Sequence, residues 1–352
     1  MSRFISEYLK NLKEYVPGEQ PRDKKYIKLN TNEAAYPVSE QVAQVISQQS
    51  IENLNLYSDP DCRDLTTAFA NLYNVREENL IFGNGSDEIL ALCFMAYFQN
   101  GEKVVFPDIS YGFYKVFAEL YRSDYEEIPL NEQFEIDPTK YQDIHKGVVI
   151  ANPNAPTGLA LSRDDIEKIV ATNPDHIVVI DEAYVDFGGQ SVYPLCEKYK
   201  NLIVTGTFSK SRSLAGARLG FAIADVELIG DLQKIRFSNN PYNINRLTQE
   251  IAVAVVKDNA YFMENCKKTA KCREHTKAEL EKMGFTVLDS ATNFLFAKHD
   301  AIGGEELYLK LKEKGILIRH FNVERIKDFN RITIGTPNQM EMFLTAVRQC
   351  LQ

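Results

Sequence analysis

Lys210 sits in a run of small and hydroxylated residues, Thr207-Phe208-Ser209-Lys210-Ser211-Arg212-Ser213-Leu214-Ala215-Gly216-Ala217-Arg218-Leu219-Gly220, entered from the apolar stretch Leu202 to Val204. Its amine can meet a bound molecule there without side-chain crowding. The hydroxyls of Thr207 and Ser209 and the guanidinium of Arg218 suit a phosphate, because a guanidinium presents a planar fork to an oxyanion. A lysine beside a phosphate site points to imine chemistry with pyridoxal 5'-phosphate, PLP. Taken alone, a Ser-Lys pair is more often an ordinary solvated loop.

Three more segments follow apolar runs that read as strands. Residues 80–82 lead into Gly83-Asn84-Gly85-Ser86-Asp87-Glu88, where glycines and a helix start let backbone amides face an anion. Residues 148–151 lead into the stiff loop Asn152-Pro153-Asn154-Ala155-Pro156-Thr157-Gly158, able to present an amide to a ring oxygen. Residues 177–180 lead into Asp181-Glu182-Ala183-Tyr184. A carboxylate ending a buried strand is costly unless paired. A protonated pyridine nitrogen is such a partner, and the pairing keeps the ring an electron sink. Tyr184 is then placed to reach the ring's phenolic oxygen. Each segment also has a plainer reading, as a turn capped by Ser86 or Asp87, a structural turn, or a helix-capping Asp181. Ligands bind outside the carboxyl ends of strands in open α/β sheets. Four such ends with complementary groups outweigh the separate plain readings.

The elements that must position these groups follow from periodicity. Short β-branched runs at 80–82, 103–106, 148–150, 177–180, 202–204 and 221–223 alternate with amphipathic stretches such as 164–170, which Ser162 caps. The pattern predicts the α/β class, with a large domain built on a mostly parallel central sheet and helices on both faces. It shifts near Pro241-Tyr242-Asn243. One long helix from about Arg246 to Met283, then strands at 286–288, 294–296, 316–318 and 331–334, predict a smaller α+β domain. The expected division is 30–245 for the large domain, with 1–29 and 246–352 forming an N-terminal arm and the small domain. A short helix is expected within Met1 to Val16, on the spacing of Phe4, Ile5, Tyr8, Leu9 and Leu12.

The 352 residues carry a net charge of -9, with 44% hydrophobic and 25% charged side chains. That composition supports an ample core and disfavours nucleic acid as a partner, since phosphate-backbone binding needs a basic face. No stretch has the length of a membrane span, and the N-terminus lacks the apolar core of a secretion signal. Six scattered cysteines without Cys-x-x-Cys point to a reduced, cytoplasmic protein. Five scattered histidines offer no metal-ligand spacing, so no metal site is expected.

Taken with Leu29-Asn30-Thr31-Asn32-Glu33, Tyr57-Ser58-Asp59-Pro60 and Arg331-Ile332-Thr333-Ile334-Gly335-Thr336, these motifs span nearly the whole chain. The sequence resembles the fold-type I PLP-dependent aminotransferases, most of all their histidinol-phosphate aminotransferase branch. The resemblance implies that Lys210 links to the cofactor and moves the proton, that Asp181 holds the pyridine nitrogen, and that Tyr184 bonds the ring oxygen. It implies ring stacking by Tyr111 and a phosphate cradle of Thr207, Ser209, Arg218 and the amides of Gly85, Ser86 and Asp87. Tyr57 matches the tyrosine that reaches the neighbouring subunit's phosphate, which implies a homodimer with shared sites. Arg331 matches the arginine holding the substrate's anionic group, and Tyr36 and Arg319 match positions near its distal end. Where the family has asparagine before Pro-Thr-Gly this chain has Ala155, so the ring-oxygen bond falls to Asn154 or to Tyr184 alone. The segment Asn32-Glu33-Ala34-Ala35-Tyr36-Pro37 also departs from the branch's usual Asn-Glu-Asn-Pro-Tyr-Gly.

The implied reaction is transamination of small amino and oxo acids, between histidinol phosphate and 2-oxoglutarate, in histidine biosynthesis. Two enzymes on the same fold are the alternatives, a threonine-phosphate decarboxylase and an aromatic aminotransferase. A PLP-binding sensor fused to a DNA-binding segment is disfavoured, because the aminotransferase-like pattern starts almost at once and the charge is acidic.

Overall fold

The computed structural model describes residues 2–352. Strand β1 (Ile27–Lys28) and helices α1 (Glu40–Ala43), α2 (Gln48–Glu52) and α3 (Arg63–Tyr73) precede the main sheet. That sheet holds β2 (Leu80–Gly83), β3 (Lys103–Pro107), β4 (Asp124–Ile128), β5 (Gly147–Ala151), β6 (Val178–Asp181), β7 (Leu202–Thr207) and β8 (Gly220–Ala224). Their spatial order is β2-β8-β7-β6-β5-β3-β4. Only β8 runs against its neighbours. The carboxyl ends of β2, β3, β5, β6 and β7 therefore open on one side, and β8 starts there.

Alternation along the central strands explains the two covering layers. Val148, Ile150, Val178, Ile180, Leu202 and Val204 face one apolar core with α3, α6 (Arg163–Thr172) and part of α8 (Arg246–Lys257). Val149, Val179 and Ile203 face the other, with α4 (Ser86–Tyr97), α5 (Phe113–Tyr121) and α7 (Val226–Asn239). Ser162 caps α6 as its position implied, accepting from the Asp165 amide at 3.1 Å.

A third core belongs to the small domain. It joins Leu29, Leu280, Leu295, Ile318, Ile332, Phe343 and Val347. Its antiparallel sheet has the order β12 (Arg319–His320), β13 (Asn330–Thr333), β10 (Phe294–His299), β9 (Phe285–Val287). Helices α9 (Asn259–Lys282), α10 (Gly304–Glu313) and α11 (Pro337–Cys350) cover it. Strand β11 (Ile316–Leu317) pairs parallel with β1 and ties the arm to this domain.

Three features differ from the sequence expectation. The long helix after Arg246 is two, α8 and α9, interrupted at Asp258. Val255, Val256 and Phe262 pack into the large-domain core, whereas Cys272 and Leu280 pack into the small one, so the two cores divide within α9 rather than at 245/246. Where a short helix was expected within Met1 to Val16, the described residues 2–16 hold a single 3-10 turn at Glu7–Leu9; Met1 lies outside the described residues. The arm also straddles both domains. Tyr15 stacks on Phe113 at 4.3 Å, while Glu19 pairs with Lys312 at 2.5 Å.

Gly220 stands opposite both Gly83 and Thr207. A Cβ there would lie 2.3 Å from the Ser86 nitrogen and 2.4 Å from the Gly85 carbonyl carbon. Gly220→Ala is therefore expected to keep the sheet but displace the turn into α4. Amide exchange should accelerate at residues 84–88, by about tenfold for each ~1.4 kcal/mol of lost protection, with β6 and β7 still protected. Unchanged exchange at 84–88 would contradict the packing.

Candidate active site

A cavity of about 620 Å³ opens at the carboxyl ends of the main-sheet strands, roofed by the arm and the small-domain sheet. Asp181 forms part of its floor. In register it stands between Ala151 and Thr205. Its Oδ2 accepts from the Tyr114 hydroxyl at 2.9 Å, and its Oδ1 from the Ala183 amide at 3.3 Å and the Thr205 hydroxyl at 3.4 Å. All three donors are neutral. Burial pushes the Asp181 carboxyl up to about 6, although the Tyr114 bond pulls the other way. Burial first, and then the nearby Asp181 charge, hold the Tyr114 phenol well above its ordinary range, so it remains a donor. A buried carboxylate with only neutral partners, facing a cavity, is built to meet a cationic N–H.

The opposite end of the floor suits a phosphate. Gly85 precedes α4 with φ 78°, a backbone conformation that favours glycine, and the first-turn amides of α4 have no intrahelical acceptor. Thr207, Ser209 and Arg218 line the same space. The Thr207 hydroxyl bonds Ser209 Oγ at 2.9 Å. Asp87 fixes two neighbours, accepting from Arg218 Nη2 at 2.8 Å and from the Tyr111 hydroxyl at 2.7 Å. A Cβ on Gly85 would stand 2.5 Å from that Arg218 nitrogen.

Lys210 projects between these ends. Its Nζ donates to the Thr31 carbonyl at 3.3 Å and lies 5.8 Å from the centre of the Tyr184 ring. The Tyr184 hydroxyl accepts from Asn32 Nδ2 at 2.9 Å. Asn32 is buried in the left-handed region, φ 56°, with its amide N–H and Oδ1 both bonded to the Thr333 hydroxyl. It thereby ties Tyr184 to the small domain.

Asn154 does not face the cavity. Its two amide hydrogens go to the Ile109 carbonyl at 3.0 Å and the Thr157 hydroxyl at 3.1 Å, and its oxygen accepts from Ser110 at 2.8 Å. No donor is left for a ligand, and Ala155 lines the cavity instead. Tyr36 and Tyr57 also stand outside the lining. Tyr36 accepts a bond from Ser213 through its carbonyl, and Tyr57 is 77% exposed and stacked on Tyr242 at 4.3 Å.

From the small domain come Arg319 and Arg331, directly opposite each other on β12 and β13. Both donate to backbone carbonyls rather than to carboxylates. Arg331 Nη2 bonds the Asn30 carbonyl at 3.1 Å, and Arg319 bonds the Val16 and Pro17 carbonyls at 3.0 and 3.3 Å. Arg331 keeps some accessible surface toward the cavity, but its Nε is sealed without a partner. Lost hydration pulls its pKa below the ordinary value. Both guanidinium groups lie against Phe321, whose ring centre is 5.6 Å from each. Tyr15 and Tyr111, 6.0 Å apart, form an aromatic wall beside them.

Tyr114, Asn32 and Tyr15 were not singled out from sequence. For Tyr114 the available signal was a hydroxyl-bearing ring on a buried helix face, which needs a partner. For Asn32 it was a motif residue able to take a positive φ, and for Tyr15 an aromatic just before Pro17-Gly18. The cation-free carboxylate, the glycine-lined helix start and the unpartnered Arg331 Nε together fit PLP and an anionic substrate.

The sequence pattern described as aminotransferase class I and II matches residues 24–347. A histidinol-phosphate aminotransferase from Brachyspira hyodysenteriae is 48% identical over 353 residues, covering 100% of this chain and 100% of that protein. One from a Marinomonas species is 48% identical over 351 residues, 99% of each. Among solved structures, a histidinol-phosphate aminotransferase from Sinorhizobium meliloti in complex with pyridoxal-5'-phosphate has a TM-score of 0.89 at 22% identity, covering 100% of this chain and 98% of that one. That likeness speaks to the fold, and the sequence match extends it to ancestry: the chain belongs to the class I and II aminotransferase family.

Proposed function

We propose that this protein is a PLP-dependent histidinol-phosphate transaminase, exchanging an amino group between histidinol phosphate and 2-oxoglutarate to give imidazole-acetol phosphate and glutamate. The observation that carries the reading is that buried Asp181, bonded only by neutral donors, shares one cavity with Lys210. The substrate class is supported by full-length relatives of that name and by two arginines free of carboxylate partners.

PLP, when bound, supplies an electron sink that makes the substrate's α-carbon acidic. The chain's own groups do the rest. Asp181 holds the pyridine N–H, which repays its desolvation. The Ser86 and Asp87 amides, Thr207, Ser209 and Arg218 hold the phosphate, and Tyr111 stacks on the ring. Tyr184 donates to the ring oxygen alone, oriented by Asn32. Lys210 Nζ removes and returns the substrate's α-proton; positioned proton transfer of this kind contributes roughly 10²–10⁴-fold. Arg331 and Arg319 hold the carboxylates of glutamate in one half-reaction and the phosphate of histidinol phosphate in the other, since a guanidinium grips either anion. Tyr15 closes the cavity and offers a flat face to the imidazole.

The exposed Tyr57, with Leu54 and Leu56 also exposed beside it in sequence, supports a homodimer in which Tyr57 completes the partner's phosphate site. No helix of the described residues is long and apolar enough to cross a membrane. All six cysteines are free and buried, which supports a reducing cytoplasmic location.

The deciding assay supplies PLP-loaded protein with glutamate and imidazole-acetol phosphate, and separately with threonine phosphate. Formation of 2-oxoglutarate and histidinol phosphate is expected. Carbon dioxide release from threonine phosphate without transamination would overturn the reading. Lys210→Ala is expected to fold normally and to lose at least about 10²-fold in kcat; near-normal turnover would refute the role of the amine. Arg331→Lys should raise KM for both substrates, because a point charge cannot reproduce the fork, and unchanged KM values count against it.

Asp181 also links stability to pH. Its folded pKa, raised to about 6, lies above the ordinary 3.8, so its contribution is present at low pH and lost as pH rises through about 6. In cofactor-free protein Asp181→Asn should therefore stabilise by ~2–3 kcal/mol at pH 8 and not at pH 4, measured by denaturant titration. Equal stability of the two proteins at pH 8 would show that the carboxylate carries no desolvation strain.

A further inference from the structure

Arg319 and Arg331 occupy the two strands of one hairpin, paired directly across β12 and β13. Residues 321–329 join them and reach away from the small domain. Ile326, midway along this segment, and Phe329, where it enters β13, are 3% and 6% exposed and pack into the large-domain core. Phe329 stacks on Phe296 of small-domain strand β10 at 4.7 Å and meets Phe134 of the large domain edge-on at 5.3 Å. Beside them, Arg325 makes three bonds into the large domain. Its Nη1 donates to Asp108 Oδ2 at 2.8 Å, and its Nη2 to the carbonyls of Leu130 and Asn131, both at 3.1 Å. Asp108 is itself fixed, its Oδ1 accepting from the Leu130 amide at 2.9 Å. It lies on the cavity wall three residues before Tyr111.

We propose that Arg325 is a positioning residue for anion recognition: its fork fastens the hairpin tip to the Asp108 loop and so sets where Arg319 and Arg331 stand relative to Tyr111 and Lys210. The inference rests on the transaminase reading of the cavity. Arg325 touches neither cofactor nor substrate, and it acts through the hairpin. A two-residue strand such as β12 has few ladder bonds to hold Arg319 by itself. The second attachment supplies the missing constraint, because both ends of the segment are then fixed. A guanidinium displaced by about 1 Å loses bidentate geometry before it loses charge attraction.

The test uses PLP-loaded enzyme carrying Arg325→Gln, and separately Asp108→Asn. Both should raise KM for glutamate and for imidazole-acetol phosphate by roughly five- to tenfold, with kcat within about twofold, the signature of lost uniform binding. The absorbance of the bound cofactor and its pH profile should not move, since Lys210 and Asp181 lie outside the latch. The double variant should be no worse than Arg325→Gln alone, because Asp108 reaches the hairpin only through Arg325. A fall in melting temperature with unchanged KM values would reduce the latch to a stabilising surface pair and overturn the proposal. Fully additive KM effects would do the same for the Arg325–Asp108 link. The glutamate half-reaction alone, followed by cofactor absorbance, decides the matter even if imidazole-acetol phosphate proves not to be the partner substrate.

Discussion

Two neighbouring carboxylates, Asp181 and Glu182, are buried with only neutral donors, and the one that faces the cavity, Asp181, governs this structure. Asp181 ends a strand that has sheet neighbours on both sides and helices above and below. Only its cavity side remains open, and the sheet supplies no positive charge. Three neutral donors reduce the cost without cancelling it, and the carboxyl titrates near 6 in consequence. A protein that maximised its stability would put an apolar residue or a paired charge there. Keeping the acid makes sense where a cationic ring sits against it during turnover. The same cost explains Tyr114. Its hydroxyl is fully buried yet oriented, and it fixes which face of the carboxylate remains for the ligand.

The rest of the fold can be read as bringing other groups to that point. Parallel strands deliver the Ser86, Tyr111, Ala155 and Lys210 loops to one edge because their carboxyl ends coincide. Antiparallel β8 returns at the same edge, and Gly220 lets it pass the phosphate turn without a side chain in the way. The small domain contributes no group to the floor. It supplies Thr333, which holds Asn32 and through it Tyr184, and the hairpin bearing two arginines. On the proposed reading, cofactor chemistry and substrate choice are thus carried by separate bodies of the chain that meet at Asn32.

Sequence legibility followed burial. Strands β5, β6 and β7 are continuous apolar runs, which only a doubly covered sheet produces, so they and the loops after them were readable. Edge strand β4 was not, since Asp124-Tyr125-Glu126-Glu127-Ile128 carries its charges on an exposed rim. The break at Asp258 was invisible because neither proline nor glycine marks it. Lys210 and Asp181 announced themselves by being polar at the ends of apolar runs. Tyr114 did not, because a tyrosine within an apolar stretch looks like packing until its hydroxyl's partner is known, and Tyr15 did not, because nothing in Lys13-Glu14-Tyr15-Val16 marks it off from a solvated arm. Asn154 misled for the opposite reason. Its loop was correctly read as stiff, but stiffness here comes from the asparagine bonding its own surroundings, which leaves nothing for a ligand.

On the proposed reading, the two arginines divide recognition between them. Arg331 has already given up most of its hydration, and one of its nitrogens has no partner at all. Any anion that reaches it recovers that loss, whether carboxylate or phosphate, so Arg331 supplies affinity with little discrimination. Arg319 instead holds two arm carbonyls, weak acceptors that an anion can displace. Its guanidinium can therefore move between the arm and a ligand of variable length. Both guanidinium groups lie against the Phe321 ring, 5.6 Å from its centre. A site of this kind accepts a short dicarboxylate and a longer phosphate monoester without rebuilding its core, because only the less buried of its two cations has to adjust.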